Sequence, residues 1–263
     1  MPNITHNTLV KLDGNLKFSM SLTQMIFFLD KVHDLLSIDD EILLKINNEN
    51  ILLYSIVGEK MNVNAFKSFI FKTNEVFSFN SDIPKEIRFI ITAGGKFEGT
   101  LKNYLDYKED IQCEFFMNDD TYADNFKFKN SKLKLSINGG DVRGMNTTID
   151  IDKINKTLNK DNIDFKFALD KNSYAKIKKI ASIDNENDIL YLNIKDKNLT
   201  IGEHGWDLKI CDVQHDDLSI TFPKKYFKSI TFSEEEINIY VFDTFLLIDN
   251  LNTNLLIALE LSV

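Results

Sequence analysis

The side chains that most often carry catalysis or bind metals are few and scattered in this sequence. It contains four histidines, His6, His33, His204 and His215. None of them has the HxxxH or HExxH spacing of a helical zinc site. Cys113 and Cys211 lie far apart and lack companions at metal-ligand spacing. We therefore expect reduced thiols in a cytosolic protein, without a zinc site or a disulfide framework.

The nearest approach to a nucleotide-binding motif is the segment GGK at residues 94–96. A phosphate-binding P-loop would need another glycine near Phe89 and a serine or threonine where Phe97 stands. The acidic pair at residues 39–40 could hold a divalent cation, although a solvated loop is the commoner role of such a pair. The sequence therefore predicts no catalytic residue, no metal and no cofactor. A cytosolic hydrolase whose site is not visible in the sequence is the least favoured alternative.

Lysines are distributed unevenly along the chain. The 31 basic and 40 acidic residues give a formal net charge of -9 at pH 7, which by itself argues against a nucleic-acid partner. However, residues 171–182 carry four lysines and no acid, and residues 223–230 carry three lysines and no acid. Basic helices of this kind could neutralise DNA phosphates without reading bases. An ordinary solvated helix face is the alternative interpretation, and the surrounding fold decides between the two.

The elements that would position these lysines form a long internal repeat. An alternating strand and an amphipathic helix open each copy, at residues 16–20 and 21–37 and again at 165–169 and 171–182. Ser21 and Asp170 are suitable N-cap residues for the two helices. A polar-turn hairpin follows in each copy, then a second short helix and closing strands. Both copies therefore read as β-α-β-β-β followed by β-α-β-β-β.

The two second helices are predicted at residues 96–108 and 223–230. Between the copies lies a stretch rich in Gly, Asn, Asp and Lys, which is typical of a boundary. We predict an N-terminal domain at residues 1–140, a connector at 141–163 and a C-terminal domain at 164–263.

This pattern resembles the sliding clamps that tether DNA polymerases to duplex DNA, a family that includes proliferating cell nuclear antigen and the clamps of tailed bacteriophages. The resemblance is carried by the two tandem units, by FAL at residues 167–169 before the lysine-rich helix, and by ILYLNIKDKNLTI at residues 189–201. It implies an α+β fold: a duplicated clamp domain, each copy with antiparallel sheets on the outside and two helices on the inner face. Two repeats are similar to the trimeric clamps, whereas the bacterial clamp has three repeats and forms dimers.

The resemblance implies a non-enzymatic function. A homotrimeric ring would encircle duplex DNA without sequence preference and hold a replicative DNA polymerase, after loading by a separate ATP-driven clamp loader. The residues expected to contact DNA are Lys102, Lys171, Lys176, Lys179, Lys224, Lys225 and Lys228. Partner peptides would bind beside the connector, in a pocket formed by Ile56, Met61, Val63, Ile151 and Ile154. Subunits would pair through edge strands, for which residues 108–117 and 211–213 are the candidates.

The rival hypothesis is a duplicated β-rich structural or interaction protein, such as a virion component, that never contacts DNA. No apolar run approaches the roughly 20 residues needed to cross a bilayer, and residues 1–12 lack a signal-peptide core. We therefore expect no membrane partner and a cytoplasmic location, in the host cytoplasm if the protein is viral.

Overall fold

The structure is a computed structural model. It describes residues 15–59, 62–79, 82–83, 86–118, 121–140, 162–183, 188–232, 234–250 and 253–259. Within these ranges the chain forms three antiparallel sheets and a small number of helices. No helix in the described ranges is long and apolar enough to cross a membrane.

The first repeat contains nine strands and three α-helices among the described residues. In chain order they are β1 (Leu16–Met20), α1 (Leu22–Leu35), β2 (Ile42–Ile46), β3 (Asn50–Glu59), β4 (Asn62–Lys72), α2 (Thr73–Val76), β5 (Ser78–Phe79), β6 (Ile87–Ile91), α3 (Gly94–Lys102), β7 (Ile111–Met117), β8 (Ala123–Lys129) and β9 (Lys134–Asn138). A short 3-10 helix, Leu105–Tyr107, follows α3.

The second repeat has the same order of elements, except that it lacks counterparts of the short elements α2 and β5, which lie between β4 and β6 in the first repeat. Its elements are β10 (Phe165–Asp170), α4 (Lys171–Ile180), β11 (Ile189–Lys195), β12 (Asn198–Glu203), β13 (Trp206–Asp212), β14 (Leu218–Pro223), α5 (Lys224–Phe227), β15 (Glu236–Val241), β16 (Phe245–Asn250) and β17 (Thr253–Ala258). The predicted duplication of an α+β unit is confirmed.

Local sequence explains where the two opening helices begin. Ser21 and Gln24 form a reciprocal capping box at the start of α1, and Asp170 accepts hydrogen bonds from the amides of Asn172 and Ser173 at the start of α4. Each side chain satisfies amide groups that have no partner inside the helix, an arrangement worth about 0.5–2 kcal/mol. The buried face of α1 consists of Met25, Phe28, Leu29, Val32 and Leu35.

The repeats share one sheet. Strand β17 of the second repeat pairs antiparallel with β4 of the first, which creates an eight-stranded sheet in the order β10-β15-β16-β17-β4-β3-β2-β6. Each repeat also contributes a separate sheet, β5-β1-β7-β8-β9 and β13-β12-β11-β14. Two large buried clusters lie on the helix side, one built from the first repeat and the other mainly from the second. The proposed limits of the domains at residues 140 and 164 stay a prediction.

Two sequence expectations about the elements are wrong. The second helix of each repeat is shorter than predicted: α3 ends at Lys102 and α5 is a single turn. The strand expected at an exposed edge, β7, pairs with both β1 and β8 and lies inside its sheet. The edge strand beyond β8 is β9, so β9 replaces residues 108–117 as the candidate. Residues 211–212 do lie on an edge strand, β13.

Candidate nucleic-acid and peptide interfaces

Helix α4 presents a basic surface because its apolar and charged residues occupy different faces. Tyr174 and Ile177 are buried in the core of the second repeat. The exposed lysines of the helix are Lys171, Lys176, Lys178 and Lys179. A helix with one apolar stripe must direct its remaining side chains to solvent. Since the helix contains no acid, its exposed side uniformly favours an anionic partner.

Helices α4 and α5 are fixed against each other on the same side of the sheet. The hydroxyl of Tyr174 lies 2.9 Å from the carbonyl oxygen of Lys228 and 3.0 Å from that of Ile230, and its single proton is shared between these two acceptors. Lys228 Nζ donates to the carbonyl of Ala181 at 2.9 Å, which satisfies an acceptor just beyond the end of α4. Lys228 is therefore half-buried and engaged with the protein. It is a poorer phosphate ligand than the sequence predicted.

Lys224 does not fit the predicted DNA-contact surface. Its side chain is 4% exposed, and its Nζ lies 2.9 Å from Oε1 of Glu203, which is also buried. Burial of the pair leaves Lys224 unable to reach a phosphate outside the protein. The sequence alone gave no sign of this pair, because Glu203 lies 21 positions earlier, at the end of β12. Of the three lysines around α5, Lys225 is the exposed one.

The first repeat offers a mixed rather than a basic helix surface. Lys102 on α3 pairs with Oε1 of Glu98 at 2.5 Å, and His33 Nδ1 on α1 lies 3.1 Å from the same oxygen. Burial would raise the pKa of Glu98, but the hydrogen bonds from Lys102 and His33 outweigh it and lower that pKa. Lys31 lies beside Asp30 at 2.9 Å. The cationic side chains on the helix surface of the first repeat are therefore paired with acidic residues of the same chain.

The glycines of the segment GGK at residues 94–96 serve packing and capping. A Cβ at Gly94 would lie 2.5 Å from Cδ2 of Leu36, so no larger residue fits there without a shift. The amide of Gly95 donates to Oδ1 of Asp40 at 2.8 Å. The close packing explains Gly94, whereas the amide of Gly95 gives one member of the acidic pair a structural role that any residue except proline could serve. No cluster of His, Cys, Asp and Glu in the described ranges could hold a metal ion.

On the face opposite to the helices, the shared sheet carries a continuous apolar row. Its members are directly paired across five strands, in the order Tyr240, Leu247, Leu256, Phe66 and Ile56. Leu43, Tyr54, Ile90, Phe242 and Phe245 pack in the same cluster. We call Tyr240, Leu247, Leu256, Phe66 and Ile56 the apolar row. It crosses the junction between the repeats, because β17 and β4 are adjacent.

Only one member of the predicted peptide pocket can be placed in the apolar row. Ile56 is half-buried at its first-repeat end. Met61, Ile151 and Ile154 lie outside the described residues, as does the side chain of Val63. The four other members of the row were not predicted from the sequence. Strand alternation alone separates Leu247 and Leu256 from their core-facing neighbours, but the pairing of β17 with β4 was needed to join them to Phe66.

The cysteines and histidines form no catalytic arrangement in the described part of the chain. Cys113 is buried, and burial raises the pKa of its thiol well above the usual value. Cys211 is half-buried on β13, and burial raises its pKa as well. Thiols with a raised pKa contain little of the nucleophilic thiolate at neutral pH. The ring of His215 packs against Phe165 with centroids 4.8 Å apart.

Comparison with known proteins finds no family model and no curated protein that matches this sequence. Solved structures do match. DNA polymerase III subunit beta from Borrelia burgdorferi has a TM-score of 0.68 at 15% identity, over 94% of this chain and 65% of that one. Proliferating cellular nuclear antigen from Entamoeba histolytica has a TM-score of 0.60 at 14% identity, over 93% of this chain and 98% of that one.

A third match is the Helicobacter pylori beta clamp bound to a DNA ligase peptide, with a TM-score of 0.62 at 15% identity over 94% of this chain. The chain spans about two thirds of the length of these bacterial clamps and nearly all of the Entamoeba protein. This chain has the sliding-clamp fold. At these identities the likeness establishes the fold alone.

Proposed function

We propose that this chain is the subunit of a sliding clamp, whose copies join into a closed ring that encircles duplex DNA and holds a replicative DNA polymerase. The observation that carries the proposal is the acid-free basic face of α4 in a protein of net charge -9. If the lysines of α4 served only to keep the protein soluble, they would not need to lie together on a helix face without acidic residues. Phosphates of any sequence could be neutralised at such a face, since backbone contacts carry no base information.

The proposed DNA contacts are the exposed lysines Lys171, Lys176, Lys178, Lys179 and Lys225. Lys102 remains in the proposal as a secondary contact, because its side chain is 54% exposed although it pairs with Glu98. The bore would therefore be more basic along the second repeat than along the first. Duplex DNA is expected to lie nearer to α4 than to α1.

Ring closure is proposed to use one edge strand from each outer sheet. Strand β9 ends the sheet of the first repeat, and β13 ends the separate sheet of the second. Pairing β9 of one copy with β13 of the next would extend both sheets, and repetition of this head-to-tail contact gives a ring if the rotation closes. It would also cover two strand edges that otherwise invite aggregation. We propose a homotrimer, because a two-repeat subunit then supplies six clamp domains.

The proposed site for peptides of the polymerase and other partners is the margin of the apolar row at the half-buried Tyr240 and Ile56, since Phe66, Leu247 and Leu256 are buried. The Helicobacter clamp bound to a DNA ligase peptide supports a peptide-binding role for this fold. The remaining parts of the proposal are that the chain is not an enzyme, needs no cofactor and depends on a separate ATP-driven loader. A cytoplasmic site of replication, in the host cell if the protein is viral, completes the proposal.

The oligomer and its behaviour on DNA test this function. Light scattering should give three times the subunit mass, and electron microscopy should show rings with a central opening. Rings assembled on nicked circular DNA should stay bound through a high-salt wash and should leave once the circle is linearised. A monomer throughout the micromolar range would overturn the proposal. A stable oligomer that is not held by circular DNA would favour the structural-protein alternative.

A further inference from the structure

The separate sheet of the first repeat, β5-β1-β7-β8-β9, has one side that faces away from the helices. Its other side is buried, because Phe18, Phe115 and Phe126 belong to the cluster that also contains the inner residues of α1. Side chains alternate along a strand, so the residues between the buried ones point away from the core. The lysines on that side are Lys17, Lys127, Lys129 and Lys134, and we call them the outer basic face.

Strand register gathers these lysines into one strip. Lys129 on β8 is paired directly with Lys134 on β9. Lys127 lies two residues before Lys129 on the same strand, which separates their Cα atoms by about 7 Å. Across the sheet, Lys127 pairs with Glu114 on β7, and Glu114 pairs with Lys17 on β1. The strip therefore crosses four neighbouring strands.

The protein itself compensates little of this positive charge. Within the described sheet, Glu114 is the one acidic residue that the register places among the lysines, and its Oε1 lies 3.0 Å from Nδ2 of Asn15 and 3.9 Å from Nζ of Lys17. In the part of the chain that the structure describes, no carboxylate forms an ion pair with a lysine of β8 or β9. In a protein with 40 acidic and 31 basic residues, this local excess of cations favours an anionic partner.

The corresponding sheet of the second repeat does not show this excess. On its edge strand β13, Lys209 pairs with Asp212 at 2.8 Å, and Asp207 lies on the same strand. Lys195, at the end of β11, is followed by Asp196 in the turn. The basic strip is therefore a feature of the first repeat and not a general property of the outer sheets.

The other side chains on this side of the sheet suit a nucleic acid better than a protein segment. Asn125, Ser136 and Asn138 hydrogen-bond to one another beside the lysines, and such amide and hydroxyl groups bind phosphate and sugar oxygens. Phe116 is half-buried, and Nζ of Lys127 lies 3.4 Å from the centre of its ring. An acidic protein segment would need several apolar anchor sites, whereas this side of the described sheet offers Phe116 alone.

The ring of Phe116 favours a single strand over a duplex. Unpaired bases stack on aromatic side chains beside cationic groups, while the bases of a duplex are already stacked on one another. The ammonium group of Lys127 lies at the end of a flexible side chain. It can therefore move from the ring to a phosphate when a base takes its place.

We propose that the outer basic face binds single-stranded DNA through its phosphate backbone, with one base stacked on Phe116. The strand lies outside the ring, because the core of the first repeat separates this side of the sheet from α1 and α3. Binding does not depend on base sequence, since phosphate contacts carry no base information. The inference goes beyond the proposed function, which places duplex DNA against α4.

Neutralising the strip tests the phosphate contacts. Fluorescence anisotropy measures binding of a fluorescein-labelled oligothymidylate to the purified oligomer. Lys127→Gln with Lys129→Gln should weaken binding by roughly tenfold or more at low ionic strength. The slope of log K against log salt should become shallower by roughly 0.7 for each lost phosphate contact. Lys195→Gln with Lys197→Gln, two exposed lysines of the β11–β12 turn, makes the same change in net charge and should bind like the unaltered protein.

A second variant tests the stacking contact. Phe116→Leu keeps an apolar side chain but removes the aromatic face, so binding of the oligothymidylate should weaken several-fold while the salt slope stays unchanged. Thermal melting establishes that each variant is folded. Unchanged binding by Phe116→Leu would remove the stacked base from the inference.

The helix variant Lys176→Glu with Lys179→Glu separates the outer basic face from the bore. It should lose retention on circular duplex DNA and keep the oligothymidylate, whereas Lys127→Gln with Lys129→Gln should do the reverse. The inference fails unless the variant of the outer basic face shows the larger loss of single-strand binding. Because retention on circular duplex is measured separately, failure of the proposed function remains distinguishable from failure of this inference.

Three further results would overturn the single-strand site. One is the absence of oligothymidylate binding at low ionic strength. Another is a blunt duplex of the same length that binds as tightly and is weakened equally by the Lys127→Gln and Lys129→Gln changes. The third is displacement of the labelled strand by polyglutamate at lower concentrations than by unlabelled oligothymidylate, which would assign the face to an acidic protein segment.

Discussion

Lys67 donates a hydrogen bond from its buried ammonium group to Oδ1 of Asp34 at 2.8 Å. The same Nζ donates to the carbonyl of Ser229 at 2.6 Å, and Thr231 Oγ1 donates to Oδ2 of Asp34 at 2.8 Å. Lys67 and Asp34 belong to the first repeat, whereas Ser229 and Thr231 follow α5 in the second. This polar network therefore joins the repeats on the side of the sheet that carries the helices.

Removing the charge of Asp34 and removing the charge of Lys67 should lower the free energy of unfolding by unequal amounts. Asp34→Asn should lower the free energy of unfolding by about 3 kcal/mol, because it leaves the fully buried lysine without a counter-charge. Lys67→Met should cost about 1 kcal/mol or less, since the partly exposed Asp34 keeps water and Thr231 as partners. Urea unfolding of both variants measures the difference, with Asp30→Asn on the same helix as the control. The opposite order would show that the pair does not behave as a buried ion pair.

Reversing two lysines of α4 should abolish retention on DNA. Lys176→Glu combined with Lys179→Glu places repulsion where phosphates are expected, without changing the buried face of the helix. Retention on circular DNA should fall sharply, and the decrease should not depend on base sequence. Where equilibrium binding is measurable, the slope of log K against log salt should become shallower by roughly 0.9 for each phosphate that is no longer neutralised.

Lys129→Glu with Lys195→Glu is the matched control for this double reversal. Both lysines are exposed and follow core-facing residues, so they point away from the core of their sheets. The control makes the same change in net charge. Equal impairment of the two double variants would show that net charge, rather than the face of α4, governs retention.

A proline at one position of β9 should open the ring without unfolding the subunit. Gly139 donates its amide to Asp124, and Leu133 accepts from Asn130, so the odd-numbered residues of β9 face β8. The amide of Ser136 therefore points to the free edge. Ser136→Pro should remove an intersubunit donor and produce a folded monomer in light scattering. Ser136→Ala, which removes only the hydroxyl, should remain a ring, and a ring in the proline variant would exclude β9 from the interface.

Two glycine substitutions should change stability in opposite directions. A Cβ at Gly202 would lie 2.2 Å from the carbonyl oxygen of Trp206, so Gly202→Ala should destabilise the β12–β13 hairpin by about 1–3 kcal/mol. A Cβ at Gly99 in α3 would meet nothing within 4 Å, so Gly99→Ala should stabilise by about 0.5–1 kcal/mol. Thermal unfolding under one buffer condition compares them. Equal changes in stability for the two variants would mean that the backbone near Gly202 shifts to accommodate a Cβ at little cost in free energy.

Glu98 should make the helix packing of the first repeat sensitive to acid. Its pKa is lowered in the folded protein, so its stabilising contribution is present above the ordinary value of 4.5 and is lost as the pH falls through the lower folded value. Glu98→Gln should therefore flatten the acid side of the stability profile. Melting temperatures between neutral pH and pH 3 measure this slope, with the exposed Glu234→Gln as the control. An unchanged slope would show that Glu98 does not couple to unfolding.

Most local elements and their order followed from the sequence alone, although α2 and β5 were not predicted and α3 and α5 were predicted too long. Ser21 and Asp170 predicted the starts of α1 and α4, and the alternation of apolar residues predicted most strands, because capping and strand periodicity depend on neighbouring residues. The acid-free character of α4 was equally visible. Since the repeat can be detected in the sequence itself, the duplicated α+β fold was also predicted from the sequence.

Contacts between distant residues were decided only by the tertiary structure. The pairing of β17 with β4 built the apolar row, the junction between repeats buried Lys67, and the end of β12 brought Glu203 to Lys224. Each of these contacts depends on which strand edges pair and in which register. The sequence does not distinguish a lysine that will be buried from one that will be exposed. Burial then fixed the roles: Lys67 and Lys224 became internal partners of carboxylates, while the lysines along α4 stayed in solvent.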